Sequence, residues 1–132
     1  MSVRIVRLGS PRHTKEGLRI GTVRRLPRGV RKEDYASENW FDVWYPELSP
    51  SAELVKKAQT AQSAADWAKF EKAFRSEMSK PEARRTLELL AALSHQTDFS
   101  VGCYCADEAR CHRSILRQLL AERGADLQSW VC

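Results

Sequence analysis

The chain has 132 residues, with 22 Lys or Arg against 17 Asp or Glu, which gives a formal net charge of +5. This length is typical of one ordinary domain and can bury a core without disulfide staples. No stretch approaches the roughly 20 apolar residues that cross a bilayer, and residues 1–13 are too polar for a signal peptide, so we expect a cytoplasmic protein whose four cysteines are free thiols.

The first half of the chain contains two strand patterns and an aromatic segment. Residues 3–9 alternate apolar and basic side chains, and residues 18–25 form a second short strand in which Gly21 indicates a bend or a close backbone approach. Residues 26–32 form a basic loop with Pro and Gly. Residues 38–50 are rich in aromatic side chains and predict a short strand or irregular segment that packs on the core.

Helix patterns occupy the middle of the chain. Ser49 followed by Pro50 predicts the cap and first turn of a helix that ends near residue 61. Ser63 and Asp66 predict the start of a second helix, and Pro81 opens a third that ends near residue 95. The side chains expected to face the core are Trp67, Phe70, Phe74 and Met78 in the second helix and Leu87, Leu90, Ala91 and Leu93 in the third.

The last elements are a strand and a helix. Residues 99–105 form a short apolar run typical of a buried parallel strand, and residues 108–123 predict a helix that ends at Gly124. The tail is expected to add a small strand or to dock Trp130. Together the patterns predict one α/β domain over residues 1–132, with a central, at least partly parallel sheet flanked by helices.

Four segments resemble a known family. They are RRLPRGV (24–30), WFDVWYPELSPSAEL (40–54), WAKFEKAFRSEM (67–78) and CHRSILRQLL (111–120). In this order they are similar to the YeaO-like family of small bacterial proteins of unknown function, although Leu26 stands where many relatives have tryptophan. The resemblance implies a single Rossmann-like α/β domain and no established activity.

The turn from the last strand into the last helix carries the most reactive side chains. Cys103 and Cys105 share one face of the strand, and the apolar stripe of the helix places His112 toward the sheet. The first turn of the helix attracts anions, and Arg113 adds a fixed charge beside it. Cys105 or Cys111 is therefore a candidate nucleophile with a lowered pKa.

Other interpretations of the same residues stay open. Cys103, Cys105, Cys111 and His112 are soft metal ligands, but Cys-x-Cys in a strand is a poor clamp, so neither metal nor cofactor is predicted. A Cys105–Cys111 redox pair has no recognised oxidoreductase spacing. Cys103 also fits a small buried hydrophobe, and His112 also fits a core histidine that bonds a backbone carbonyl. Cys132 is read as incidental.

A basic loop follows the second strand. If that strand is parallel to the last one, Arg28 and Arg113 can converge on one anion, with Gly29 allowing close approach of the backbone. A solvated surface loop fits the same residues. Arginines near Trp and Tyr also permit base stacking in a nucleic-acid groove, although Trp40 and Trp44 lie in a segment that looks core-forming.

We therefore expect a protein that binds a small anionic ligand, phosphate- or nucleotide-like, at the Cys-His-Arg turn. Whether it is an enzyme that uses thiol chemistry stays open, as does the oligomeric state. The alternatives are a non-catalytic nucleic-acid-binding module that uses the basic face, and a structural or partner-binding protein without a ligand. The candidate catalytic residues are Cys105, Cys111 and His112, and the candidate ligand-binding residues are Arg113, Ser114, Arg28, Gly29 and Arg25.

Overall fold

The computed structural model describes residues 1–105 and 111–128, and it contains a sheet of four strands that are all parallel. The strands are β1 (Val3–Arg7), β2 (Leu18–Gly21), β3 (Val43–Trp44) and β4 (Phe99–Cys103). Their order across the sheet is β1-β4-β2-β3, so β4 returns to a central position between β1 and β2. The predicted α/β fold with a parallel sheet is confirmed.

Four α-helices accompany the sheet in the described ranges. They are α1 (Ala52–Thr60), α2 (Ala64–Met78), α3 (Pro81–Leu93) and α4 (His112–Glu122), and 3-10 turns occur at Lys32–Asp34 and Pro46–Leu48. Three helices lie in sequence between β3 and β4, as the long helical crossover predicts. No helix in the described part of the chain is long and apolar enough to cross a membrane.

The start of α1 differs from the prediction. Ser51, rather than Ser49, is the N-cap, and its hydroxyl accepts a hydrogen bond from the Leu54 N–H at 3.4 Å. Ser49 is buried and donates its hydroxyl to the Pro46 carbonyl at 2.7 Å. The reason is that Ser49 closes the preceding 3-10 turn, so the helix begins two residues later.

The apolar stripes of α2 and α3 are confirmed with one exception. Ser63 caps α2 by accepting from the Asp66 N–H at 3.1 Å. Leu93 was expected to face the core but is the last residue of α3 and is 37% exposed. Ser94 takes the inward position at this turn, where its hydroxyl donates to the Ala91 carbonyl. The buried residues are Phe70, Phe74 and Met78 in α2 and Leu87, Leu90 and Ala91 in α3, with Trp67 partly buried against them.

The last helix begins at His112, with Cys111 as an extended N-cap. It ends before Gly124, whose φ of +80° is the left-handed conformation that suits glycine at a helix end. Leu127 forms a parallel bridge with Val3, in agreement with a small added strand. The predicted helix start near residue 108 lies outside the described residues, as do Trp130 and Cys132.

One edge of the sheet positions the candidate site. The register places Arg7 opposite Cys103 and Gly21 opposite Gly102, so β1, β4 and β2 end together and their following loops leave from the same edge. A Cβ on Gly21 would lie 2.5 Å from Cδ2 of Phe41. Gly21 therefore marks a close approach, as its sequence context predicts.

Candidate functional site

A cluster of sulfur and nitrogen atoms forms where β4 ends and α4 begins. Cys103 is the last residue of β4, and Cys111 and His112 are the N-cap and first residue of α4. All three are buried, and their Sγ and ring nitrogen atoms lie within 4.8 Å of one another. Cys105 continues the chain past β4 and is exposed. The strand and the helix therefore bring together the three cysteines and the histidine that the sequence singles out.

His112 is held in one orientation by the backbone of the loop after β2. Its Nε2 lies 2.7 Å from the Thr22 carbonyl oxygen, so Nε2 carries the proton and donates it. Its Nδ1 then has a free lone pair, which lies 3.7 Å from the Cys111 Sγ and accepts from that thiol. The imidazole thus bonds a backbone carbonyl, as a core histidine does, and it also contacts the thiol cluster. Burial lowers the pKa of His112 to about 4, which keeps the ring neutral at pH 7.

Arg113 is a buried cation without a carboxylate among the described residues. It is 2% exposed, and its Nη2 donates to the Cys105 carbonyl oxygen at 2.6 Å. Its Nε has no hydrogen-bond partner in the described chain. Burying a charge is strongly unfavourable unless a counter-charge or hydrogen bonds compensate it. The positive charge of Arg113 is therefore available to stabilise an anion at this turn.

The three cysteine thiols have different acidities because they interact with one another. Hydrogen bonds with Cys103 and then Cys111 lower the pKa of Cys105, and the charge of Arg113 acts in the same direction. The hydrogen bond with Cys105, together with burial, raises the pKa of Cys103. For Cys111 the bond with Cys103 lowers the pKa, but the bond with Cys105 and burial raise it to about 11. The exposed thiol is therefore the one that ionises first.

The same cluster has the ligand types of a site for a thiophilic metal ion. Cys103, Cys111 and His112 converge, and the His112 ring already donates its other nitrogen to a carbonyl, as metal-bound histidines do. Structural zinc sites close with four ligands, and Cys105 would have to supply the fourth. These residues could hold such an ion, which makes metal content a necessary measurement for any assignment of thiol chemistry.

A cavity of about 340 Å³ opens beside the cluster. Its cationic side chains are Arg24 and Arg25, and Arg24 is anchored by donating to the carbonyls of Pro50 and Ser49. The remaining wall combines apolar side chains with the cluster itself: Val23, Pro50, Val55, Ala58, Phe70, Cys103, Cys105, Cys111 and His112, with Gln59 and Tyr104. The site therefore presents a thiol to a space with an apolar wall and a basic rim.

A second, larger cavity of about 810 Å³ lies on the same edge of the sheet. Arg28 lines this cavity, whereas Arg113 is buried against the Cys105 carbonyl, so the structure does not bring these two predicted anion ligands together. Arg25 lines both cavities. Gly29 has a φ of +71° and open space around its Cβ position, and the Ser114 hydroxyl donates to the Cys111 carbonyl at 2.9 Å.

The sequence interpretation missed Arg7 and Tyr104 at this edge, and it assigned Trp40 to a core-forming segment. Arg7, Trp40 and Tyr104 line the larger cavity. Arg7 ends β1 and donates to the Tyr104 carbonyl, and the Tyr104 hydroxyl donates to the Arg25 carbonyl at 2.8 Å. Their positions in the sequence could have identified Arg7 and Tyr104, because both stand at the carboxyl end of a predicted strand, where parallel sheets bind ligands.

The sequence of the chain is similar to a protein family and to one curated protein. The family model described as "Active DUF488-N3 subclade" matches residues 3–124. The chain belongs to the DUF488-N3a family. The chain is also 33% identical over 82 residues to "Uncharacterized protein YeaO" of Escherichia coli (strain K12), a match that covers 62% of this chain and 66% of that relative's length. No solved structure matches the chain. The YeaO-like resemblance is confirmed, and the family match includes both cavities and the cysteine cluster.

Proposed function

We propose that the chain binds a small anionic molecule in the cavity beside the thiol cluster and that the Cys105 sulfur attacks that molecule. The observation that carries this proposal is the contact of a buried Arg113, which has no carboxylate partner among the described residues, with the backbone of an exposed cysteine. A cation in this situation favours an anion nearby, whether the Cys105 thiolate or a charged group of the ligand.

The electrostatics of the cavity support an anionic ligand with an apolar portion. Arg24 and Arg25 contribute positive charge at the rim, and no acidic side chain is among the described lining residues. Apolar side chains from the loop after β2, from α1 and from α2 form the opposite wall. This combination of a mostly apolar cleft and a few convergent polar groups is typical of small-molecule sites.

The proposed step is a nucleophilic substitution at an acyl carbon or at phosphorus, which gives a thioester or an S-phosphoryl cysteine. A bond forms between that atom and the Cys105 sulfur, and the leaving group departs with the bonding electron pair. Water then hydrolyses the covalent intermediate and regenerates the thiol. His112 is a positioning residue in this scheme, because its Nδ1 accepts from Cys111 and its Nε2 is held by Thr22. We place this chemistry in the cytoplasm, where thiols are kept reduced.

Alkylation by iodoacetamide, mapped by peptide mass spectrometry, tests the nucleophile. At pH 7 we expect Cys105 to react first and the Cys105→Ser variant to lose the fast phase, while Cys111→Ser retains it. Inorganic phosphate should slow the reaction of Cys105 in the parent protein, because an anion that occupies the cavity blocks access. Cys132→Ser, the same change at the fourth cysteine of the sequence, should leave the fast phase unchanged.

Two results would overturn the proposal. The first is slow and equal reaction of all cysteines at pH 7, which would show that no thiol in the cluster is activated. The second is stoichiometric metal in the purified protein, measured by plasma mass spectrometry, with thiols that react only after chelation. That result would assign the cluster to metal coordination instead.

A further inference from the structure

The lining of the larger cavity indicates which class of anion the proposed function uses. The cavity lies at the carboxyl ends of three neighbouring strands and is lined from the loops after β1 and β2 and from Tyr104 after β4. Its volume of about 810 Å³ far exceeds the needs of a single phosphate group and matches pockets for larger metabolites.

The charge of this cavity is of one sign. Arg7, Arg25 and Arg28 line it, and its described lining residues include no acidic side chain. Arg7 donates to the Tyr104 carbonyl, but the guanidinium groups of Arg25 and Arg28 have no partner in the described part of the chain. Two free forks on one loop suit the oxygens of a phosphate group, which arginine binds in a bidentate manner.

The same cavity contains an aromatic pair. The rings of Trp40 and Tyr104 meet edge to face, with centroids 5.8 Å apart and planes at 75°. The Tyr104 hydroxyl is fixed by its hydrogen bond to the Arg25 carbonyl, so the ring is anchored to the arginine-bearing loop. The Trp40 indole N–H has no acceptor within the described residues, although buried indoles usually have one. Aromatic faces beside arginines provide a surface on which a base can stack.

The two cavities also share a boundary. Arg25 and Tyr104 line both of them, and Tyr104 stands between Cys103 and Cys105 in the chain. A phosphate held by Arg25 would therefore lie at the junction, next to the cavity that contains the Cys105 sulfur.

We propose that the larger cavity binds a nucleotide unit, with its base against Trp40 and Tyr104 and its phosphate at Arg25 and Arg28. The unit is either a free nucleotide or the terminal residue of a single-stranded nucleic acid, since both present the same base and phosphate. This inference rests on the proposed function only in directing the phosphate toward Cys105. The binding site itself does not require a reactive thiol.

Calorimetric titration with ribonucleoside 5′-monophosphates, ribose 5-phosphate and inorganic phosphate tests the inference. We expect nucleotides to bind about tenfold more tightly than ribose 5-phosphate, because stacking of the base adds affinity. Arg28→Gln and Arg25→Gln should each weaken nucleotide binding by about tenfold, because both remove a free guanidinium from an exposed position. Arg84→Gln makes the same charge change at an exposed site on α3 and should change the affinity less than about twofold.

The outcomes separate this inference from the proposed function. Cys105→Ser should retain nucleotide affinity, so loss of thiol reactivity alone leaves the inference standing. Equal binding of nucleotides and ribose 5-phosphate would overturn the base site, even if phosphate still protects Cys105 from alkylation. An equal loss in Arg84→Gln would also overturn it, since binding would then follow net charge.

An oligonucleotide with a 5′-phosphate distinguishes the two sources. If it binds as tightly as the mononucleotide, with the shallow salt dependence of one or two phosphate contacts, the site recognises a terminal residue and the inference is supported. If oligonucleotides alone bind, with a log–log salt slope that indicates many contacts at roughly 0.7 each, the nucleotide site is overturned in favour of an extended basic surface.

Discussion

Two arginines are equally buried in this protein but have opposite surroundings. Arg19 in β2 is 0% exposed and forms a two-point ion pair with the buried Glu16, through Nε to Oε2 at 2.5 Å and Nη2 to Oε1 at 2.9 Å. Its Nη1 donates to two carbonyl oxygens, and Ser100 donates to Glu16 as well. Arg113 has one carbonyl contact and an Nε without a partner among the described residues.

A structural charge and a functional charge are distinguished here by how completely the protein compensates each one. Every charged atom of the Arg19–Glu16 pair is satisfied within the protein, so nothing is left to act on a ligand. Within the part of the chain that the structure describes, Arg113 is compensated only in part, and it lies beside an exposed thiol and a cavity. Incomplete compensation of a buried charge is costly, and it is found where a bound anion completes the site.

Replacement of the two arginines should change the free energy of unfolding by very different amounts. Arg19→Met leaves Glu16 as a buried carboxylate without its counter-charge, so we expect a loss of about 3–5 kcal/mol in the free energy of unfolding. Arg113→Met replaces a charge that no carboxylate in residues 1–105 and 111–128 compensates with an apolar side chain of similar size, and we expect a change within about 1 kcal/mol. Urea denaturation of both variants provides the measurement.

A similar loss in both variants would contradict the distinction between the two arginines, since the fold would then depend on Arg113 as much as on Arg19.

Glu16→Gln tests the same ion pair from the side of the carboxylate. Its carboxyl is desolvated, which raises its pKa, but the hydrogen bonds from Arg19 and Ser100 outweigh this and lower the pKa overall. The stabilisation from Glu16 is therefore present above its unfolded pKa and is lost at lower pH.

A somewhat smaller effect is expected from His112 as pH falls. Its pKa is lowered by burial from 6.5 to about 4, so the unfolded chain binds a proton that the folded chain does not between these values. The contribution of neutral His112 to the free energy of unfolding should therefore be fully present above pH 6.5. It should fall by about 3 kcal/mol as the pH approaches 4. Urea denaturation across this range should show the decline.

Substitution separates this decline from other acid effects. His112→Gln keeps a donor for the Thr22 carbonyl but cannot be protonated, so the upper part of the decline should disappear. His95→Gln, a matched change at an exposed histidine, should retain it. An identical pH dependence in the parent protein and His112→Gln would show that the imidazole is not held neutral by burial.

The sequence predicted those features of the fold that depend on neighbouring residues. The helix stripes, the Ser63 cap and the buried final strand follow from periodicity and capping chemistry, and all are observed except at Leu93. The Cys-His-Arg turn was found because its members are close in sequence, so the end of one element and the start of the next bring them together. Local order sufficed for this cluster.

Features that depend on distant contacts were missed. Arg19 stands in a strand pattern where a charged residue suggests exposure, and its burial depends on Glu16 together with Ser100, which is 84 residues from Glu16. The convergence of Arg28 with Arg113 was inferred from their shared sheet edge, but the course of the loop after β2 places Arg28 in the larger cavity. Sequence patterns fix which edge a loop leaves, but not how far it reaches.

The acidity of the Cys105 thiol should respond to Arg113 but not to Arg19. Arg113 lies against the Cys105 backbone, and its charge helps to lower the pKa of the thiol after the hydrogen bonds with Cys103 and Cys111. Arg113→Met should therefore raise the midpoint of the pH–rate profile for alkylation of Cys105 by about one pH unit. Arg113→Lys retains the charge, so its midpoint should stay closer to that of the parent protein, and Arg84→Gln should leave it unchanged. Because the Arg19–Glu16 pair is already neutralised, Arg19→Met should not move the midpoint. An equal shift in Arg19→Met and Arg113→Met would mean that the thiol responds to general loosening of the fold instead of to the buried charge beside it.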